Sequence, residues 1–278
     1  MTLSSGGNDY RGKLLDRLVS ELTADCDFAT MHYEPYILFL NGEYWGFYYL
    51  TEKYDEQYLE YYYDVDPVNI VAVKKDSVEI GEEADLAFYT QLLEFLESAD
   101  MSLEENYQQA CEMLDIQSLI DYFAAEIYIA RQVDWPNSNF TLWRVKETGK
   151  KEYEDGKWRW MLFDINTAAM KEEYIEHDTI AHAIKKSDIF ENLWDNKDFQ
   201  KAFSKRLMEI AESVLNEEKV FEKIEEYKEL MYEPMQVHHK RFFGDTFEDS
   251  YPTEKTIKEF AKKRAEYIPI MLEENMAD

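Results

Sequence analysis

The sequence predicts an α+β fold in which a first part built on β-hairpins gives way near residue 180 to a part that is helical almost throughout. Three observations predict it. The pair Asn41-Gly42 sits between the apolar, tyrosine-rich runs 36–40 and 44–50, and Asn-Gly supplies the positive φ angles of a tight hairpin turn. Two more strand-like runs, 139–144 and 157–164, flank the charged, glycine-containing loop 146–156 and predict a second hairpin with a longer connection. From Thr179 onward apolar residues recur at helical spacing.

In order along the chain, residues 11–23 read as an amphipathic helix with Leu14, Leu15, Leu18 and Leu22 on one stripe. The first hairpin follows, then a polar, tyrosine-rich helix over 52–63 and a short buried strand over 69–74. Helices are expected over 82–97, 103–113 and 116–132, followed by the second hairpin. The last part reads as helices over 189–194, 197–215, 218–241 and 254–273, with Pro234 and Pro252 as interruptions. No internal repeat is visible. The polar opening Ser4-Ser5-Gly6-Gly7-Asn8-Asp9 precedes any predicted element, as expected of a trimmed or truncated chain.

The 278 residues admit one large or two closely packed domains. With 45% hydrophobic residues, 15% aromatics, 9 Gly and 6 Pro, the chain can bury a sizeable core. The 30 Lys and Arg against 59 Asp and Glu leave a net charge of −29, which repels polyphosphate backbones and argues against nonspecific binding of nucleic acid or of an anionic membrane. Cys26 and Cys111 are the only cysteines and stand in no metal-ligand spacing, so a disulfide scaffold is excluded and two free thiols are expected. No apolar run reaches the ~18 residues of a membrane span, and the start has neither the basic nor the apolar region of an export signal.

The stretch most suited to chemistry is Val133-Asp134-Trp135-Pro136-Asn137-Ser138-Asn139-Phe140, a proline-containing loop between an apolar helix and a strand. Asp134 and Asn139 stand five apart in it, and Asp164 ends the apolar run Trp160-Met161-Leu162-Phe163. A carboxylate at the end of a buried strand is held rigidly and suits a hard cation such as Mg²⁺, which takes one or two carboxylates, an amide oxygen and substrate phosphates. The alternative is that Asp134 and Asn137 cap turns and Asp164 merely ends a strand. Lys74, closing Val71-Ala72-Val73-Lys74, is a candidate phosphate partner or a solvated strand end, and Glu52 is a candidate partner for a phosphate-binding cation or a surface carboxylate. His238 and His239 are adjacent and lack the i, i+4 spacing of metal pairs; His177 and His182 form a loose cluster, and both pairs are read as structural. No GxSxG, Walker A or HExxH motif occurs.

Taken together, an ordered string of residues resembles the CotH family of kinase-like proteins, known from spore coats and from bacterial and fungal cell surfaces. It runs from Gly6-Gly7-Asn8-Asp9 through Asn41-Gly42-Glu43-Tyr44-Trp45-Gly46 and Leu50-Thr51-Glu52 to Asp134-Trp135-Pro136 with Asn139. It continues with Trp143-Arg144, Gly156-Lys157-Trp158-Arg159-Trp160, Phe163-Asp164, Leu193-Trp194-Asp195-Asn196 and His239 with Arg241-Phe242. The resemblance implies a single domain over 1–278 with an atypical protein-kinase-like fold, its reduced hairpin-rich N-lobe at about 1–80 and its largely helical C-lobe at 81–278. It implies ATP as substrate and Mg²⁺ as cofactor, with Asp134 taking the proton of the acceptor hydroxyl, Asn139 and Asp164 holding metal, and Glu52 and Lys74 on the nucleotide side. The implied partner is a protein of the spore coat or cell surface, phosphorylated on Ser or Thr, and the implied setting is coat, surface or secreted. Two departures matter: the family's Asp-x-Asp reads Asp164-Ile165-Asn166, and its paired asparagines read Ser138-Asn139. They leave a second reading open, a pseudokinase serving as a structural or binding module. A glycoside hydrolase or carbohydrate binder, suggested only by the abundance of carboxylates and aromatics, is a third.

Overall fold

The computed structural model describes residues 1–276 except Asn137, Thr167, Ala168 and residues 249–251. The polar opening is structured: β1 (Thr2–Ser4) precedes α1 (Leu15–Leu22), β2 (Tyr33–Leu40) and β3 (Glu43–Thr51). β1 and β2 both pair antiparallel with β3, giving a three-stranded sheet in the order β1-β3-β2. Asn41 and Gly42 take the positive φ values of 51° and 82° that the hairpin turn demands. α1 starts four residues later than its apolar stripe suggests. Lys13 adopts a φ of 52°, and the Asp9 carboxylate accepts the Leu14 and Leu15 amides at 2.6 and 3.1 Å, fixing where the helix begins.

α2 (Glu56–Tyr63) begins where Asp55 accepts the Tyr58 amide at 3.0 Å, since β3 runs on to Thr51 and leaves no room for an earlier start. Next come β4 (Ile70–Lys74) and β5 (Ser77–Ile80), followed by α3 (Leu86–Ser98), α4 (Glu104–Met113) and α5 (Ile116–Tyr128). α5 stops short of residue 132 because Ala130 turns left-handed at φ 55° and the buried Arg264 guanidinium takes the carbonyls of Ile127 and Tyr128 at 2.9 and 3.1 Å.

The second hairpin is shorter than predicted, with β6 (Thr141–Val145) paired to β7 (Arg159–Met161). It joins a four-stranded sheet, β5-β4-β6-β7, so the strands at 70–80 pair with the hairpin that brackets the long loop. β6 and β7 are covered on both faces, and Trp143, Trp158 and Trp160 are buried. Beyond β7 the chain is still held: Ala29 donates to the Trp160 carbonyl at 3.0 Å and accepts from the Leu162 amide at 2.8 Å.

The helical part comprises α6 (Thr179–Lys186), α7 (Asp188–Trp194), α8 (Lys197–Glu209), α9 (Glu217–Phe242) and α10 (Pro252–Met276). Residues 210–214 form a π turn, so the helix expected over 197–215 changes winding before its end. Pro234 does not interrupt: it lies inside the 26-residue α9, whose packing outweighs one lost backbone bond. Pro252 opens α10, a position where its missing N–H costs nothing. Phe123 of α5 stacks on Phe190 of α7 at 4.7 Å in a core that runs from α1 to α10.

Candidate active site

The three-stranded sheet, the start of α1 and the segment after β7 meet at a cleft of about 310 Å³. Thr2, Thr51 and Glu52 line it from the three-stranded sheet, and Asp16, Asp164 and Asn166 line it from below. Asp164 is set by the backbone as much as by its side chain. It takes a φ of 54°, and Arg131, wholly buried, donates to the carbonyls of Phe163 at 3.0 Å and Asp164 at 2.6 Å. Arg131 is in turn paired with buried Glu126 at 2.8 Å, so the loop after β7 is tied to the end of α5.

The predicted carboxylate–amide pair is brought together. Asn139 Nδ2 donates to Asp164 Oδ2 at 2.9 Å, and the Asn139 amide donates to the Asp134 carbonyl at 2.8 Å, so one residue joins the loop at 134 to Asp164, which lies three residues past the end of β7 rather than at the strand end the sequence suggested. Asp134 itself is exposed at a φ of 66°, and among the described residues its side chain makes no hydrogen bond. His182 of α6 holds this loop, donating from Nε2 to the Trp135 carbonyl at 2.9 Å and stacking on the Trp135 ring. The suggested turn cap at Asn137 lies outside the described residues.

Glu52 reaches the same cleft, with Oε1 accepting from Tyr62 at 2.7 Å and Oε2 from the His32 amide at 2.9 Å. A second cavity of about 370 Å³, walled by Tyr58, Tyr62 and Tyr63, shares Met31 and Glu52 with it. Lys74 does not line the cleft. Its ammonium lies 4.1 Å from the centre of the ring of Phe163, which does line the cleft. The cation on the cleft wall is Lys53.

Two residues central to this arrangement escaped the sequence reading. Asp16, in the first turn of α1, accepts the Ile165 amide at 2.9 Å and the Asn166 side-chain amide at 2.8 Å. Burial of its carboxyl pushes its pKa up to about 6; the Asn166 bond opposes that rise and the nearby Asp164 charge adds to it. Asp16 falls off the apolar stripe of α1, so periodicity gives no signal for it. Arg131 gives none either, since a lone arginine after a helix has no diagnostic spacing. In the adjacent histidine pair, His238 Nδ1 accepts the Phe47 amide at 3.1 Å, and His239 bridges Asp245 and the Arg11 carbonyl at 3.0 Å each.

Chemically, Asp164 on the cleft and Asn139 beside it carry hard oxygens, and because Asn139 presents Nδ2 to the carboxylate at 2.9 Å, its amide would turn over to offer Oδ1 to a cation. That set fits a small divalent cation that keeps waters and takes the rest of its ligands from phosphates. Among the described residues no group of three His, Cys, Asp or Glu is placed to hold a metal by itself, so a cation here would depend on substrate oxygens.

An α+β chain with two small antiparallel sheets and a mainly helical remainder, and with Asp164 on the cleft beside the first sheet, is a kinase-like protein. A sequence model described as CotH kinase protein matches residues 1–268, nearly the whole chain, and the protein belongs to this family. No curated protein matches it. No described helix is long and apolar enough to cross a membrane.

Proposed function

We propose that this protein transfers the terminal phosphoryl group of ATP, with Mg²⁺, to a Ser or Thr hydroxyl of a spore-coat or cell-surface protein. The observation that carries the reading is the Asn139–Asp164 pair, because it joins a loop carrying an exposed carboxylate to the segment after β7 that lines the cleft. Phosphoryl transfer asks for positioning and charge neutralisation rather than covalent help. In a chain of net charge −29 the overall field repels ATP, so local groups must supply the attraction.

Asp164 and Asn139 would hold the metal ion, which when bound neutralises phosphate charge. Arg131 keeps the Asp164 backbone in register from the side of α5, while Asp16 does so from α1 through the Ile165 amide. Among the described residues Asp134 has no competing hydrogen-bond partner, so its carboxylate would orient an acceptor hydroxyl and take its proton. Glu52 is pinned by Tyr62 and His32 and stands beside Lys53, the nearest cation for phosphate oxygens on that wall. Lys74 is assigned a supporting role, packing Phe163 against the nucleotide side. The division into an N-lobe near 1–80 and a C-lobe over 81–278 belongs to the same reading.

A second reading, a pseudokinase that binds nucleotide at a coat or surface without turnover, is favoured by one observation: Asn166 is held with its amide nitrogen toward both neighbouring carboxylates because its Oδ1 accepts the Asn8 amide. Labelled-phosphate transfer from ATP to serine-containing acceptor proteins separates the two. Incorporation that disappears in Asp134→Asn supports the kinase, and Mg²⁺-dependent ATP binding without incorporation supports the pseudokinase.

A further inference from the structure

Asn166 sits between two carboxylates. Its Nδ2 lies 2.8 Å from Asp164 Oδ1 and 2.8 Å from Asp16 Oδ2, and its Oδ1 accepts the Asn8 amide at 2.9 Å. An amide group has two N–H donors, so each carboxylate receives one. The network fixes the orientation: turned over, the amide would set its oxygen against both carboxylates and its NH₂ against the Asn8 N–H. The remaining oxygens are also engaged, Asp16 Oδ1 by the Ile165 amide and Asp164 Oδ2 by Asn139.

The amide is also boxed in. Gly7 takes a φ of 54°, and a Cβ added there would stand 2.7 Å from Asn166 Nδ2 and 2.8 Å from Oδ1, so the glycine leaves room for this side chain and no more. Two carboxylates held this close on a cleft wall repel unless something positive lies between them. The amide supplies that positive edge from within the chain.

We infer that Asn166, its Oδ1 held by the Asn8 amide, takes the place of a cation between Asp16 and Asp164. The cleft then holds one divalent ion, at Asp164 and Asn139, where protein kinases hold two; the Asn139 Oδ1 is held by no hydrogen bond among the described residues and can turn to the metal. The inference rests on the metal-dependent reading of the cleft given above. It makes residue 166 the determinant of metal stoichiometry and Asp16 a carboxylate able to serve a second ion once the amide is gone.

The test is titration of Mn²⁺ into the full chain with a non-hydrolysable ATP analogue, free Mn²⁺ being followed by electron paramagnetic resonance. The wild type should bind one ion per chain, Asn166→Asp two, and Asn166→Asp with Asp16→Asn one again. Two ions in the wild type, or a single ion in folded Asn166→Asp, would overturn the inference while leaving the metal-dependent reading intact. No ion in the wild type would overturn that reading and the inference with it. Should Asn166→Asp fail to fold, Asn166→Ala provides the measurement, since it exposes the two carboxylates to each other. Mn²⁺ should then raise its melting midpoint by at least twice the wild-type shift, and an equal shift would count against the inference.

Discussion

The two walls of the cleft are built on different principles. The lower wall grows out of the core: β6 and β7 are covered on both faces, Arg131 is wholly buried, and Asp164 has its carbonyl and both carboxylate oxygens engaged. The upper wall is a three-stranded sheet whose hairpin leaves Tyr36, Ile37, Phe39, Leu40 and Trp45 exposed, and it is fastened mainly along β3, through Phe47 and Tyr49. The carboxylates Asp16 and Asp164 sit on the wall tied into the core, while Glu52 and Lys53 stand on the thinner wall that shapes the opening. A change below should therefore damage stability and ligand binding together, and a change above should separate them.

The largest effect is expected from Arg131→Met, which strands Glu126 in the core and frees the carbonyls of Phe163 and Asp164. Breaking a buried pair by removing one partner costs ~3–5 kcal/mol, and urea denaturation should show a loss of that order together with loss of MgATP binding. Intact binding in a folded Arg131→Met would break the coupling claimed for the lower wall.

On the upper wall, His238 sharpens the comparison through pH. Burial lowers its pKa from 6.5 to about 4, with Lys13 and His239 adding to the effect, and its unprotonated Nδ1 accepts the Phe47 amide. The unfolded chain takes up this proton first, so the stability His238 contributes is fully present above about pH 6.5 and is lost as pH falls toward 4. At about 1.4 kcal/mol per unit the gap between wild type and His238→Gln should change by up to ~3 kcal/mol across that window, as read by urea denaturation at a series of pH values. A gap independent of pH would remove His238 as the fastening of β3.

Gly46 tests the same wall by sterics. It takes a φ of 122°, and an added Cβ would lie 2.8 Å from His238 Nδ1 and 3.0 Å from Phe242. Gly46→Ala should lower stability by ~1–3 kcal/mol. Its MgATP affinity, measured well below the melting transition, should stay within about threefold of wild type, since the strain is remote from the lower wall. A proportionate loss of affinity would show that the walls are not separable.

The smallest change is expected for Lys74→Met. It removes a cation–aromatic contact worth roughly 0.5–1 kcal/mol and should leave MgATP affinity within about twofold, because the ammonium faces Phe163 and not the cleft. A loss of about tenfold, or 1.4 kcal/mol, would return Lys74 to the phosphates.

What was legible in the sequence follows the same division. The Asn41-Gly42 hairpin announces itself because its turn chemistry is local, and Asp164 stands out because a carboxylate ends an apolar run. Asn139 was readable from its spacing to Asp134, and the collinear family residues tied both to Asp164. β5 was missed because Ser77-Val78-Glu79-Ile80 is too short to show a period, and the early start of α1 was assumed because its Asp9 cap lies outside the apolar stripe. Asp16 and Arg131 act across 149 and 32 positions of chain respectively, and contacts of that range leave no local pattern.

The central claim is that Asp164 anchors a metal-dependent nucleotide site. Calorimetric titration of ATP into the full chain, with Mg²⁺, with EDTA and with Asp164→Ala, tests it most directly. Binding that requires Mg²⁺ and disappears in a folded Asp164→Ala is the expected result. Binding of equal strength in all three samples, or none with Mg²⁺ in the wild type, would contradict it.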